Sequence, residues 1–128
     1  MRELIGIPYL NRGTSPAGVD CWGLVVLFHR MVMQSEVPRY DETYSDADNV
    51  GDAITAGWVD WEPVALGQER KGDVLAFRDP RGAEVIHCGV VIAPGKFLHC
   101  LSGRNSCVES YDKGMWKQLL VRIGRWNS

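Results

Sequence analysis

A chain of 128 residues, 45% hydrophobic and 23% charged, is long enough to bury one real core and too short for two ordinary domains, so one domain over residues 1–128 is expected. A formal charge of -2, with basic residues scattered as in Arg78-Asp79-Pro80-Arg81, leaves no electrostatic footprint for nucleic acid, which is excluded as the expected partner. No stretch approaches the ~20 apolar residues that span a bilayer, so no membrane span is expected.

The chain opens with Met1-Arg2-Glu3-Leu4-Ile5-Gly6-Ile7-Pro8, which lacks the basic start and long apolar run of a signal peptide, and the protein is expected to be made without export and kept soluble. Cys21, Cys88, Cys100 and Cys107 in such a chain are expected to be free thiols rather than a disulfide framework. Residues 1–19 carry Pro8, Gly13, Pro16 and Gly18 among short apolar pieces and read as a leading segment and loop that delivers the chain to Asp20. From Cys21 to about Met33, apolar residues at 21, 24, 25, 28, 31 and 32 follow the spacing of one helical face. That spacing predicts a helix with Asp20 as N-cap and Cys21 on the inward stripe.

Gly23 inside this helix costs about 1 kcal/mol relative to alanine, which implies close approach of another backbone or of a substrate near Cys21. His29, mid-helix, reads as a surface residue. Residues 34–57 are polar and turn-rich, with a short helix fitting Asn49 to Ala56, and no chemistry is evident there. Lys71-Gly72-Asp73 predicts a turn into a strand over Val74 to Phe77. Val85 to Ile92 and Phe97 to Leu101 predict a hairpin around Pro94-Gly95, and Val108 and Leu119 to Ile123 supply further strands. One early helix followed by sequential strands indicates an α+β domain with a mainly antiparallel sheet. Of Trp58, Trp61, Trp116 and Trp126, most are expected in the core.

A cysteine at a helix start sits where backbone N–H groups and the helix dipole favour negative charge, so its thiolate is accessible; a free cysteine is nonetheless often plain core. His87 and His99 each lie in an apolar strand, where a histidine needs a partner or a task. Together with Cys21 they suggest a Cys-His-His triad of nucleophile, base and orienting group. Spacing alone does not join the histidines. A simple hairpin would pair His99 near Val90 or Val91, roughly 10 Å or more from His87, so a bulge or strong strand twist is needed, with Gly89 a natural place for it. His87-Cys88 and His99-Cys100 contain zinc ligand types, but adjacent strand residues point to opposite faces, so no metal site is expected and Cys88 and Cys100 are expected to face the core.

Leu4-Ile5-Gly6-Ile7-Pro8-Tyr9, Asp20-Cys21-Trp22-Gly23-Leu24-Val25, Gly72-Asp73-Val74-Leu75-Ala76-Phe77, His87-Cys88-Gly89-Val90-Val91-Ile92 and Gly95-Lys96-Phe97-Leu98-His99 come in an order that resembles the NlpC-type cell-wall cysteine peptidases. These are papain-like enzymes that cut the stem peptides of peptidoglycan. The resemblance implies a cysteine-bearing helix packed on an antiparallel sheet that carries both histidines. It implies Cys21 as nucleophile, His87 as general base and then acid, and His99 as the group orienting the His87 ring. Tyr9 and Asp20 match positions that shape the site or hold the substrate, and Trp22 stands where many members have serine, narrowing the pocket or packing outward. No cofactor is implied.

Asp-Cys-Trp-Gly-Leu-Val is similar to the branch found in phage and prophage tail assembly proteins. That likeness implies a virion tail location, other tail proteins as partners, and a bond of the D-glutamyl-diaminopimelate type as substrate. The readings that compete are a structural tail component with vestigial activity and an amidase or acyltransferase on the same framework. A redox or metal protein is the weakest of them.

Overall fold

The computed structural model describes residues 1–39 and 61–127. The leading segment forms a 3-10 turn at Arg2–Leu4 and a short antiparallel pair, β1 (Thr14–Ser15) with β2 (Gly18–Val19). It then enters α1 (Cys21–Phe28), which runs into a π-helical turn at His29–Met33. Six strands follow: β3 (Trp61–Pro63), β4 (Val74–Arg78), β5 (Val85–Ala93), β6 (Lys96–His99), β7 (Cys107–Ser110) and β8 (Leu120–Trp126). A short helix, α2 (Gly114–Leu119), precedes β8. The strands form one sheet in the order β3-β8-β4-β5-β6-β7, with every pairing antiparallel.

Asp20 starts α1 as an N-cap: its Oδ1 accepts from the Gly23 N–H at 2.7 Å, and its Oδ2 accepts from the Arg12 N–H at 2.9 Å. Gly23 has the close backbone neighbour its position demands. A Cβ built there would lie 1.8 Å from the carbonyl oxygen of Gly13, so the loop before the helix rests directly on the helix's first turn.

The core has two layers, one on each face of the sheet. Against α1 lie Val74, Ala76, Cys88, Val90, Leu98 and Cys100; on the opposite face lie Leu75, Phe77, Val91, Phe97, Tyr111 and Leu119. Alternate residues of β4, β5 and β6 thus serve different cores, which is why these strands read as continuous apolar runs rather than as polar-apolar alternation. Cys88 and Cys100 face the helix layer as expected, and all four cysteines are free thiols.

Several expectations are corrected. All eight residues of α1 are buried, so the helix is central to the core rather than amphipathic with one inward stripe. His29 is not a surface residue: it is buried, and its Nε2 donates to the Gly72 carbonyl at 2.7 Å. Burial, opposed by that hydrogen bond and by Asp73, pushes its pKa down. The anticipated strand at Leu119 to Ile123 begins one residue later and extends to Trp126, behind the unanticipated α2. Trp61 is core, packed on Trp22 and Trp126. The suggested helix at 49–56 and Trp58 lie outside the described residues. No helix among the described residues is long and apolar enough to cross a membrane.

Candidate active site

Two bulges interrupt the strands that carry the histidines, and neither is at Gly89. Between β4 and β5 the register steps from Phe77 opposite His87 to Arg78 opposite Val85, leaving Ile86 unpaired. Between β5 and β6 it steps from Ala93 opposite Lys96 to Val91 opposite Phe97, leaving Ile92 unpaired.

The second step decides the geometry. Without it, a hairpin turning at Pro94-Gly95 would set His99 across from Val90, on the face opposite His87. With Leu98 opposite Val90, His99 falls across from Gly89 and shares a face with its diagonal neighbour His87. Gly89 serves another purpose: the Phe97 ring lies against it, and a Cβ there would meet Phe97 Cδ2 at 2.6 Å.

His87 Nε2 and His99 Nδ1 are 2.8 Å apart. The two rings sit in an aromatic box, with His99 stacked on Phe97 at 4.3 Å and edge-on to Trp116 at 4.9 Å, and with Trp116 also 5.6 Å from His87. Cys21, at the first turn of α1, lies within hydrogen-bonding reach of both Cys88 and His87. His87 Nε2 is engaged by His99, so Nδ1 is the ring nitrogen left for the thiol. The Cys88 hydrogen bond does most to pull the Cys21 pKa well down; burial opposes it, and His87 adds to the pull. The opposite holds for Cys88, which burial and the neighbouring Cys21 push well up.

The other anticipated site residues divide. Asp20 is buried, with both carboxylate oxygens turned to the backbone, and shapes the start of α1. Tyr9 is half-buried, packs on the α1-side core, and bridges to Val19 just before Asp20. Trp22 corrects the expectation that it narrows the pocket or packs outward. It is 2% exposed, edge-on to Trp61 at 5.8 Å, and its Nε1 donates to the Pro38 carbonyl at 2.8 Å. An indole at the second position of a wholly buried helix is a core residue that offers no surface to a substrate.

Glu109 and Trp116 belong to the site and escaped the sequence reading. Glu109 Oε2 is 2.6 Å from His99 Nε2, and Trp116 also donates a hydrogen bond to its carboxylate. Burial works to raise the Glu109 pKa, but those hydrogen bonds outweigh it and hold it down. His99 is pushed down to about 4 by burial and by the charge of His87, against the pull of Glu109. The available signal was alternation: with His99 opposite Cys107, Glu109 is a diagonal neighbour on the same face. His99, Cys107 and Glu109 also present ligand atoms within 4.8 Å of one another, donor types suited to zinc, although His99 Nε2 is engaged by Glu109.

The model of the NlpC/P60 family matches residues 6–125, almost the whole of this arrangement. The chain belongs to the NlpC/P60 family. Among curated relatives it is 25% identical over 127 residues to the gamma-DL-glutamyl hydrolase of Bacillus subtilis, covering 98% of this chain and 28% of that protein. It is 27% identical to the murein DD-endopeptidase MepH of Escherichia coli, covering 98% of this chain and 43% of that one. The chain therefore spans less than half the length of either relative. Among solved structures, an NlpC/P60 family protein from Bacillus cereus superposes with a TM-score of 0.71 at 21% identity, covering 96% of this chain and 36% of that one. The NlpC/p60 domain of the peptidoglycan hydrolase SagA gives 0.64 at 20% identity, covering 96% and 90%. At these identities the structures establish the shared α+β fold, with the cysteine-bearing helix on an antiparallel sheet.

Proposed function

We propose that this NlpC/P60 chain is a cysteine peptidase that hydrolyses peptidoglycan stem peptides through Cys21, His87 and His99. The observation that carries this reading is the Cys21 thiol at the N-terminus of a capped helix, close enough to His87 to feel its charge, with His87 Nε2 in turn 2.8 Å from His99 Nδ1. His87 Nδ1 takes the Cys21 thiol proton, the resulting thiolate attacks the scissile carbonyl carbon, and N–H groups of the first turn, that of Cys21 among them, stabilise the oxyanion. His87 gives its Nδ1 proton to the leaving amine as the C–N bond breaks, leaving a thioester on Cys21. Water, deprotonated by His87, then attacks the thioester and releases the carboxylate and the free cysteine.

A relative named as murein DD-endopeptidase supports a cell-wall substrate, and one named as gamma-DL-glutamyl hydrolase supports a glutamyl bond. The bond we assign is of the D-glutamyl-diaminopimelate type. A phage or prophage tail location, with other tail proteins as partners, rests on the likeness of Asp20-Cys21-Trp22-Gly23-Leu24-Val25 to that branch. Mass spectrometry of defined peptidoglycan fragments incubated with this protein and with Cys21→Ala tests the reading. The expected result is new fragments that name the bond, absent with the variant. No cleavage of any wall chemotype by the folded protein would overturn it in favour of a structural tail component, and products of amide or acyl transfer would replace the endopeptidase assignment.

A further inference from the structure

Hydrogen-bond polarity around the two histidines has a direction, and its source is Glu109. A carboxylate only accepts, so the 2.6 Å contact requires a proton on His99 Nε2. His99 is neutral above its depressed pKa of about 4, so its Nδ1 carries a lone pair. The 2.8 Å contact from His87 Nε2 to that atom must then be donated by His87. His87 Nδ1 is thereby left as the ring atom that exchanges a proton with Cys21.

The reverse arrangement places a proton on His99 Nδ1 and on His87 Nδ1. It turns a lone pair of His99 toward the Glu109 carboxylate and leaves His87 no lone pair facing the thiol. Without Glu109 the two arrangements make the same His-His contact. We propose that Glu109, clamped by Trp116, is a positioning residue that sets the proton placement of both histidines and so keeps His87 Nδ1 competent toward Cys21. This rests on the reading of Cys21 and His87 as the reacting pair.

The carboxylate is held in place for the task. Trp116 donates to it while packing against both imidazoles, and the Cys107 thiol donates from 3.9 Å. The Arg104 charge lies near enough to act on Glu109, His99 and Cys107. The Glu109 side chain is 39% exposed while His99 is fully buried, so Glu109 is the point where this relay meets solvent. A charge-assisted hydrogen bond favours the productive arrangement by about 10 to 100-fold.

Glu109→Gln and Glu109→Ala test this with readouts that need no substrate. The first is nitrogen-15 NMR of the imidazoles, and the second is the pH dependence of Cys21 alkylation by iodoacetamide. In the wild type Nε2 of each ring is expected to carry a proton and Nδ1 of His99 none. In the variants a mixture is expected, with Nδ1–H appearing on His99, and alkylation at pH 6 is expected to slow by about tenfold as the Cys21 midpoint moves up. Should Glu109→Ala fail to fold by circular dichroism, the isosteric Glu109→Gln decides alone.

Unchanged ring protonation together with superimposable alkylation profiles in a folded variant would overturn the proposal, whether or not wall fragments are cut. Shifted profiles in a protein that cuts no fragment would support it while removing the peptidase reading. If fragments are cut, kcat is expected to fall about tenfold with KM held, less than the ~10⁴-fold loss that follows replacement of a group directly orienting the base.

Discussion

Gly23→Ala is the substitution on which helix propensity and tertiary packing disagree most sharply. Propensity alone makes alanine better in a helix interior by about 1 kcal/mol. In the fold, the added Cβ would stand 1.8 Å from the Gly13 carbonyl oxygen, 2.9 Å from its carbon and 3.0 Å from Asp20 Oδ1. The first of these is a backbone atom inside a wanted contact by well over 1 Å, so no rotamer change relieves it. The Gly13 loop or the first turn of α1 must move, and Asp20, which links them through the Gly23 and Arg12 N–H groups, must give up part of its geometry.

Overpacking of this kind costs about 1–3 kcal/mol, and weakening a buried cap adds about 1 kcal/mol; against the propensity gain, the net expectation is a loss of about 1–3 kcal/mol. For a domain of this size that lowers Tm by roughly 4–11 °C. The assay is paired thermal and urea unfolding of the wild type, Gly23→Ala and Gly82→Ala. Gly82 is the control because its Cβ would meet nothing within 4 Å, and its change is expected to be near zero. A Gly23→Ala protein as stable as the wild type, or more stable, would refute the claim that the Gly13 loop rests on this turn.

Trp22→Ser is expected to destabilise by about 3–5 kcal/mol because it empties a buried indole site; an unfolding midpoint equal to wild type would show that Trp22 is not core. Trp22→Phe, which keeps most of the volume but loses the bond to Pro38, is expected to cost about 1–2 kcal/mol in the same assay. His99, held at about 4, resists protonation when folded, whereas the unfolded chain takes up that proton near 6.5. Its contribution is therefore fully present above about pH 6.5 and is lost as pH falls toward 4, by up to about 3 kcal/mol. Urea unfolding at pH 7, 5.5 and 4.5 is expected to show a shallower acid decline for His99→Gln than for the wild type, and parallel declines would remove His99 as the source.

Much of the site was readable because its signals are local. Asp20 before an apolar run marks a helix start, and a thiol at that position follows from the chain order alone. The strands of the hairpin and the free cysteines were legible for the same reason. His29 was misread because a helix that is apolar all round has no polar face from which to infer exposure, and the Gly72 carbonyl that partners it is far away in the chain. Trp22 was misread because its position suggested a pocket, while its burial depends on Trp61 and Pro38, which no local pattern connects to it.

The sequence by itself determined which groups were available: one thiol at a helix start, histidines on neighbouring strands, and an α+β order of elements. Whether those groups meet was decided only by tertiary structure. Side-chain direction in a strand alternates with every residue, so a single unpaired residue at Ile92 is the difference between His99 facing His87 and facing away. Composition does not announce a bulge, because its cause lies in how β4, β5 and β6 twist and pack together. The same holds for Glu109, an unremarkable carboxylate in the chain that becomes the anchor of the relay once β7 pairs with β6 and Trp116 closes over both rings.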